Sequence, residues 1–248
     1  MRFLCPNCGQ DQEILLDRKP WCLVCHIEMI SATDYSKVWM SPYFAIARLQ
    51  KIAETHGTKR ALTEGRFKKE REAVATAFLA FALSKLGGEK FYIEIETADN
   101  TPDIKLHHID QSSGHNNIKT RSVEVVDWEE HVPDIMEVIR KKCSRPYPDY
   151  YFLLVSARYA GRFINFANIC DEMKTIQSPF LETWVTGFSG INKLAVARVA
   201  PGLLEFSLDY WDELQNAKQQ PEIVRRGIRG TGTEFYPLGP SFLPLPGD

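Results

Sequence analysis

Two pairs of cysteines near the start of the chain have the spacing of a zinc site. Cys5 and Cys8 form one CxxC pair, and Cys22 and Cys25 form a second, with thirteen residues between Cys8 and Cys22. Zinc prefers four ligands in a tetrahedron, and two closely spaced thiolate pairs supply them with little strain. All four positions are thiolates, which leaves no open coordination position. The sequence therefore predicts a structural zinc in a ribbon or a pair of knuckles over residues 1–30.

The alternatives to this zinc site are disulfides, or a site in which His26 replaces Cys25. Thiols in a cytosolic chain stay reduced, so clustered cysteines there bind metal more often than they form disulfides. The segment 13–16 between the two pairs is expected to form a short strand. A module of this size buries too little apolar surface to fold alone, so the metal would supply much of its folding free energy.

Two acidic residues further along the chain have the chemistry needed to cleave a phosphodiester. Asp103 opens one alternating apolar and polar segment, and Glu124 lies in the next. Mg²⁺ and Mn²⁺ prefer carboxylate oxygens and keep several waters. Such an ion activates a water and neutralises charge on the scissile phosphate, and a nearby lysine adds to that stabilisation. Lys105, two residues after Asp103, shares its strand face and is the expected cation.

The elements that must position these residues follow from hydrophobic periodicity and from cap residues. Ser41 and Pro42 predict the start of a helix that runs to about residue 56, and Thr63 predicts the cap of a second helix over 64–86. The remaining predictions are strands over 91–96, 103–109 and 121–126, a helix over 133–143, a buried strand over 150–156, a helix over 169–176, strands near 181–186, 193–199 and 203–209, a short helix over 211–218, and an irregular tail from residue 230.

These elements predict an α/β protein with a mixed central sheet flanked by helices, plus the small zinc ribbon. The length of 248 residues and the 44% of hydrophobic residues suit one substantial core and a small module. The expected division is a zinc ribbon over 1–30, a linker and helix over 31–62, an α/β core over 63–185, and C-terminal strands, a short helix and a tail rich in proline and glycine over 186–248.

The order helix, strand, strand, strand, helix, strand over residues 64–156 resembles the PD-(D/E)xK nuclease superfamily, which has the restriction-endonuclease-like fold. Pro102-Asp103 stands where that family has its Pro-Asp, and Glu124 stands at the acid of its Glu-x-Lys. The resemblance implies metal-dependent cleavage of DNA, and a homodimer is plausible for a fold that cuts two strands. It also suggests Glu96 and Glu70 as further metal ligands.

The chain departs from the family at the lysine, because the residue two after Glu124 is Val126. This departure leaves open a second function, in which the fold is catalytically inactive and binds nucleic acid or another protein. It also leaves open that Asp103 and Glu124 are ordinary polar residues on the exposed face of a sheet.

A second motif suggests a different nuclease. The run Leu106-His107-His108-Ile109-Asp110, followed by His115-Asn116-Asn117, is similar to the opening of an HNH endonuclease. In that family one histidine serves as general base and another anchors the metal. No closing segment of that motif follows in this chain, so the HNH alternative rests on a partial motif.

Positive charges cluster in three segments that could contact phosphates, over residues 48–71, 140–145 and 225–229. The net charge of −2 excludes a uniformly basic nucleic-acid coat but not a local basic face. Solvated helix faces explain most charge runs, so this stays an alternative to DNA binding. The candidate nucleic-acid-binding residues are Arg66, Lys68, Lys69, Arg71, Lys141 and Lys142.

Targeting and membrane segments are not indicated. The first residues lack the apolar stretch of a secretory signal. No run approaches the ~18 apolar residues of a membrane helix. The sequence therefore predicts a cytoplasmic protein with no membrane partner.

Overall fold

The computed structural model describes residues 2–4, 11–13, 30–31, 38–95, 102–110, 117–148, 150–157, 164–220, 223–228 and 232–237. The four cysteines of the predicted zinc site and Glu96 lie outside the described residues, as do His115 and Asn116 of the HNH-like run.

The described strands and helices are as follows. The strands are β1 (Arg2–Leu4), β2 (Asp11–Glu13), β3 (Ile30–Ser31), β4 (Val38–Trp39), β5 (Phe91–Ile95), β6 (Ile104–Asp110), β7 (Asn117–Asp127), β8 (Tyr151–Ala157), β9 (Glu182–Phe188), β10 (Lys193–Ala200), β11 (Leu204–Asp209), β12 (Ile223–Ile228) and β13 (Gly232–Pro237). The helices are α1 (Pro42–His56), α2 (Thr58–Thr63), α3 (Lys68–Gly87), α4 (Ile135–Cys143), α5 (Phe166–Met173) and α6 (Tyr210–Lys218), with a 3₁₀ turn at Gly65–Phe67 before α3.

A seven-stranded mixed sheet organises the fold, in the order β11-β10-β9-β8-β7-β6-β5. The pairs β5–β6 and β6–β7 are antiparallel, and the pairs β7–β8 and β8–β9 are parallel. The pairs β9–β10 and β10–β11 are again antiparallel. The prediction of an α/β fold with a mixed central sheet flanked by helices is confirmed.

Helix α3 covers one face of this sheet. Its alanines, among them Ala73, Ala77 and Ala80, are almost fully buried and let the helix axis approach the strands closely. They pack in one core with alternate residues of the strands, including Ile93, Leu106 and Val125. The helix ends at Gly88, whose φ of 68° places it in the left-handed region that glycine tolerates best.

Helices α4 and α5 cover the other face and form a second core with it. Ile139 of α4 and Met173 of α5 pack with Leu153 and Val155 of β8. Strand β8 is buried along its whole length because helices cover both of its faces, as its continuous apolar run predicts.

Two small antiparallel sheets accompany the central one. Strands β2, β1 and β3 form the first, and β13, β12 and β4 form the second. The predicted strand over 13–16 overlaps the observed β2 only at Glu13, and residues 14–16 lie outside the described part. The prediction of an irregular tail from residue 230 is wrong for 232–237, because β13 pairs with β12 as a hairpin.

The N-terminal boundary of the long helix also differs from its prediction. Ser41 caps α1 as expected, accepting a hydrogen bond from the Phe44 amide at 3.3 Å. Thr63, however, is the last residue of α2, and its hydroxyl donates to the Lys59 carbonyl. The predicted helix over 64–86 therefore begins only at Lys68, after the 3₁₀ turn.

None of the described helices is long and apolar enough to cross a membrane.

Candidate active site

Glu124 is a buried carboxylate on a central strand. Its neighbours Val123 and Val125 pack in the core beneath α3, so strand alternation turns Glu124 to the opposite face, where only 4% of it is exposed. Its Oε1 accepts hydrogen bonds from the Lys142 ammonium at 2.5 Å and from the Tyr147 hydroxyl at 3.1 Å. Its Oε2 is buried and has no hydrogen-bond partner.

Lys142 reaches Glu124 because of its position on α4. Asp134 caps the start of this helix by accepting from the Met136 amide. The buried residues Ile135 and Ile139 define the face that packs on the sheet. Lys142 follows them at spacings of seven and three residues and so lies on that same face. Its ammonium therefore extends toward the face of the sheet that carries the Glu124 side chain.

Tyr147 is a hydrogen-bond donor to this carboxylate throughout the neutral pH range. Burial, the negative charge of Glu124 and the hydrogen bond to that carboxylate raise the pKa of Tyr147 to about 12. The hydroxyl stays protonated and fixes Glu124 through Oε1. No sequence pattern indicates this role, because Tyr147 lies in a loop between two prolines.

Asp103 lies one residue before β6, at the level of Glu124. The antiparallel register pairs Ile104 with Val123, so one further step brings Asp103 opposite Glu124. The Asp103 Oδ2 accepts from the Val125 amide at 3.0 Å, which ties its carboxylate to the strand that carries Glu124. Its Oδ1 accepts from the Lys69 ammonium at 2.8 Å.

A third carboxylate, Glu72, lies beside the Asp103–Lys69 pair. The Lys69 ammonium is 3.4 Å from Glu72 and 2.8 Å from Asp103, so Asp103 is its main partner. Lys68 also pairs with Glu72, at 3.2 Å. Burial, followed by the negative charge of Asp103, raises the pKa of Glu72. Burial disfavours the charged form of Lys69, but its hydrogen bond to Asp103 and the two neighbouring carboxylates raise its pKa overall.

The predicted further ligand Glu70 faces another part of the molecule. Its Oε1 accepts from the buried Arg48 of α1 at 3.2 Å. Residues on a helix are separated by about 100°, so Glu70 and Glu72 diverge by about 200°. The carboxylate of α3 that lies beside Asp103 is therefore Glu72.

Lys105, the predicted catalytic cation, is paired in register with Ser122, two residues before Glu124. Its charge acts on Glu94, whose pKa it helps to lower. The ammonium bonded to Glu124 belongs instead to Lys142.

The described set of donors at this site is small for a divalent ion. Among the described residues, no group of three or more histidine, cysteine, aspartate or glutamate side chains is arranged to hold a metal. Mg²⁺ is commonly held by one or two carboxylates and keeps several waters. Asp103 and Glu124 lie on adjacent strands, but Asp103 bonds to Lys69 of α3 and Glu124 to Lys142 of α4, helices that cover opposite faces of the sheet. The Glu124 Oε2 is a buried acceptor without a hydrogen-bond partner.

The candidate nucleic-acid-binding residues fall into two sets. Arg71 is buried, and its guanidinium donates to the carbonyls of Ala61 and Glu64, so it holds the turn before α3 rather than facing solvent. Arg66 is exposed and pairs with Glu64. Lys141 is exposed on α4. The other predicted members, Lys68, Lys69 and Lys142, pair with the carboxylates described above.

A cleft opens beside the Glu124–Lys142 pair, between the end of β7 and α4. It has a volume of about 350 Å³. Val126, at the position of the missing family lysine, forms part of its wall. Lys141, Lys142 and Arg145 also line it, so it brings three cations to the edge of the candidate site.

The two histidines of the HNH-like run do not converge. Adjacent strand residues point to opposite faces. His107 lies between Glu94, at 2.9 Å from its Nε2, and Thr120, at 2.9 Å from its Nδ1, and it stacks on Trp39. His108 instead contacts the Lys90 carbonyl at 3.3 Å. His107 therefore belongs to a buried polar cluster beneath β4 and not to a shared metal centre with His108.

No match to this chain was found among protein-family models, among curated proteins or among solved structures. The function of this chain is therefore inferred from the geometry of the site.

Proposed function

We propose that this protein is a metal-dependent nuclease of the restriction-endonuclease-like type that hydrolyses phosphodiester bonds in DNA. Asp103 and Glu124 would hold the catalytic Mg²⁺ or Mn²⁺. The supporting fold feature is the order α3, β5, β6, β7, α4, β8 around a sheet in which these strands are neighbours.

One observation carries the proposal: the Lys142 ammonium is hydrogen-bonded to Glu124. In the family a lysine on this strand lies next to the metal-binding carboxylates, and in this chain Val126 occupies its position on β7. Lys142, on α4, instead supplies a cation to Glu124. This pairing supports the proposal because it brings a lysine to one of the two proposed acids.

The residues of the chain have distinct roles in this mechanism. A bound divalent ion supplies an activated water and neutralises charge on the phosphate. Lys142 places a positive charge next to Glu124, where it stabilises the negative charge that develops on the scissile phosphate. Tyr147 keeps Glu124 oriented through Oε1, and Oε2, which has no hydrogen-bond partner, would be the atom that holds the ion. Lys69 and the Val125 amide orient Asp103 in the same way.

The zinc ribbon over residues 1–30 is part of the proposal, as a structural module held by Cys5, Cys8, Cys22 and Cys25. Contacts with DNA would come from the exposed Arg66, Lys68 and Lys141 near the site. A homodimer is the expected assembly if both strands of a duplex are cut.

The test is cleavage of a supercoiled plasmid and of a circular single-stranded DNA, each with Mg²⁺ or Mn²⁺. Asp103→Asn and Glu124→Gln keep the size of each side chain and remove its charge. Each should lower the rate by about a hundredfold, which corresponds to about 3 kcal/mol of transition-state stabilisation. Asp171→Asn, on the exposed face of α5, is the matched control. Cleavage that survives both site variants would refute the proposal.

A second candidate function is a nuclease-like fold that only binds nucleic acid or protein. The observation that favours it is that lysines occupy both carboxylates, Lys69 on Asp103 and Lys142 on Glu124. If neither metal yields cleavage of either DNA form by the wild type while DNA binding persists, this second function is the correct one.

A further inference from the structure

The cleft beside Glu124 has the dimensions of a small-molecule site. Its volume of about 350 Å³ lies at the lower end of the range for ligand pockets, roughly 300–1,000 Å³. It lies between the C-terminal end of β7, the loop that follows and α4. A cleft of this size accepts one nucleotide and is too small for two.

The lining combines three kinds of chemistry. Val126, Val132 and Val138 are partly buried and supply apolar surface. Lys141, Lys142 and Arg145 supply positive charge. The carboxylates of Asp127, Glu129 and Glu137 supply hydrogen-bond acceptors. His131 also lines the cleft, and its Nδ1 lies 3.2 Å from the Glu129 carboxylate.

This combination matches a nucleotide better than a free phosphate. A bare anion would contact only the cations and would leave the apolar wall and the carboxylates without a ligand group to bind. In a nucleotide, the phosphate contacts cations, the flat base packs on apolar side chains, and its exocyclic amine donates to a carboxylate. The base would thus use the valines and the carboxylates of the lining, which a free phosphate would not use.

We infer that this cleft binds one unpaired nucleotide of a DNA strand, and that the preferred substrate is therefore single-stranded DNA or a frayed duplex end. A paired base presents only its groove edge, so a concave pocket can hold a whole nucleotide only when that nucleotide is unpaired and is unstacked from its neighbours. The inference rests on the proposed function for its catalytic meaning, because Lys142 lines the cleft and also bonds to Glu124. A nucleotide phosphate bound to Lys142 would lie next to Glu124, one of the two proposed catalytic acids.

Binding separates this inference from catalysis. Glu124→Gln protein, with no divalent metal added, is titrated into a fluorescein-labelled 12-nucleotide DNA strand, its duplex, and an RNA strand of the same sequence. The single DNA strand should bind at least about tenfold more tightly than the duplex. Tighter binding of the RNA strand would overturn the assignment to DNA.

Two substitutions in the cleft test whether it causes that preference. Val138→Phe fills the apolar wall and Lys141→Glu reverses one charge, and each should lower single-strand affinity by about tenfold. Lys218→Glu, exposed on α6, makes the same charge change elsewhere and should alter the affinity by less than about twofold. Thermal unfolding of each variant shows whether it has kept its fold. If Val138→Phe does not fold, Lys141→Glu, at an exposed position, still tests whether the cleft binds the single strand.

The failure of the inference differs from the failure of the proposed function. Equal affinity for single strand and duplex, or a preference that survives both cleft variants, would overturn the inference even if Asp103→Asn abolishes cleavage. If the wild type cleaves no DNA but the cleft variants lose single-strand binding, the nucleotide site is supported and the nuclease proposal fails.

Discussion

Lys142, near the end of α4, donates to Glu124 on β7 across the interface between a helix and the sheet. The Glu124 side chain is 5% exposed and that of Lys142 17%, so both charges are largely withdrawn from water. A buried ion pair of this kind is costly to break, because the remaining charge has no compensating partner. The same pair is therefore expected to influence stability and catalysis together.

Replacing Lys142 by methionine should destabilise the fold and abolish DNA cleavage. Methionine keeps the length of the side chain but leaves the buried Glu124 carboxylate without its ammonium. We expect the free energy of unfolding to fall by about 3–5 kcal/mol in urea titrations at neutral pH. The double variant with Glu124→Gln should recover much of that stability but no activity. Lys141→Met, one residue away and exposed, is the control and should stay within about 0.5 kcal/mol of the wild type.

Asp103 has a structural and a proposed catalytic role that two substitutions can separate. Asp103→Asn retains an oxygen acceptor for the Val125 amide, whereas Asp103→Ala leaves that buried amide unpaired. The alanine variant should be less stable than the asparagine variant by about 1–3 kcal/mol in urea unfolding. Both should lose DNA cleavage. Equal stability of the two variants would show that the Val125 hydrogen bond contributes nothing measurable.

Most elements of the fold could be predicted because their signals are local. Ser41-Pro42 and Gly57 bracket α1, and the apolar run of β8 needs no partner to be recognised. The hairpin of β12 and β13 was not predicted, because the prolines and glycines of the tail indicate irregular structure. Strand β12 instead pairs with β13 on one side and, on the other, with β4, which lies far away in the sequence.

The site could be predicted only as far as strand register allows. Asp103 and Glu124 lie at the same level because two strands and one loop determine their separation. The partner of Glu124 depends on how α4 packs on the sheet, which no strand pattern contains. The spacing of Ile135, Ile139 and Lys142 places this lysine on the buried face of α4 and was the one available signal. On α3, the sequence suggested Glu70 as the carboxylate near Asp103, whereas the structure places Glu72 there. The position of that helix relative to Asp103 depends on tertiary packing, which the sequence pattern does not contain.

The raised pKa of Glu72 predicts a loss of stability as the pH rises. Between the ordinary glutamate pKa of about 4.3 and its own raised value, the folded protein binds the Glu72 proton more strongly than the unfolded chain does. Stability from this group is thus complete below the ordinary pKa and declines as the pH passes through the raised one. Glu72→Gln should remove that decline in urea unfolding measured from pH 4 to pH 8. A steeper decline in the variant would contradict the prediction.

Glu94 should show the opposite pH dependence. Burial disfavours its charged form, but the hydrogen bond and charge of His107, together with the Trp39 indole, lower its pKa overall. Its contribution to stability is therefore present above the ordinary glutamate pKa and is lost as the pH falls through the lowered value. Glu94→Gln should reduce stability at neutral pH and make it less sensitive to acid. If Glu94→Gln and Glu72→Gln shift the pH profile in the same direction, the assignment of one of these pKa shifts is wrong.

The predicted zinc depends on four cysteines and should be indifferent to the other two. Protein purified without chelator should contain about one zinc ion per chain, measured by plasma emission spectrometry. Cys8→Ser should lower the zinc content and, because the metal supplies folding free energy, render the first 30 residues sensitive to protease.

Cys143→Ser and Cys170→Ser are matched controls, since both of these thiols are free in the described part of the chain and Cys170 is buried in the core beside α4. Zinc that persists in Cys8→Ser but disappears in Cys170→Ser would place the metal elsewhere. An absence of zinc from all of these proteins would show that the two cysteine pairs hold no metal.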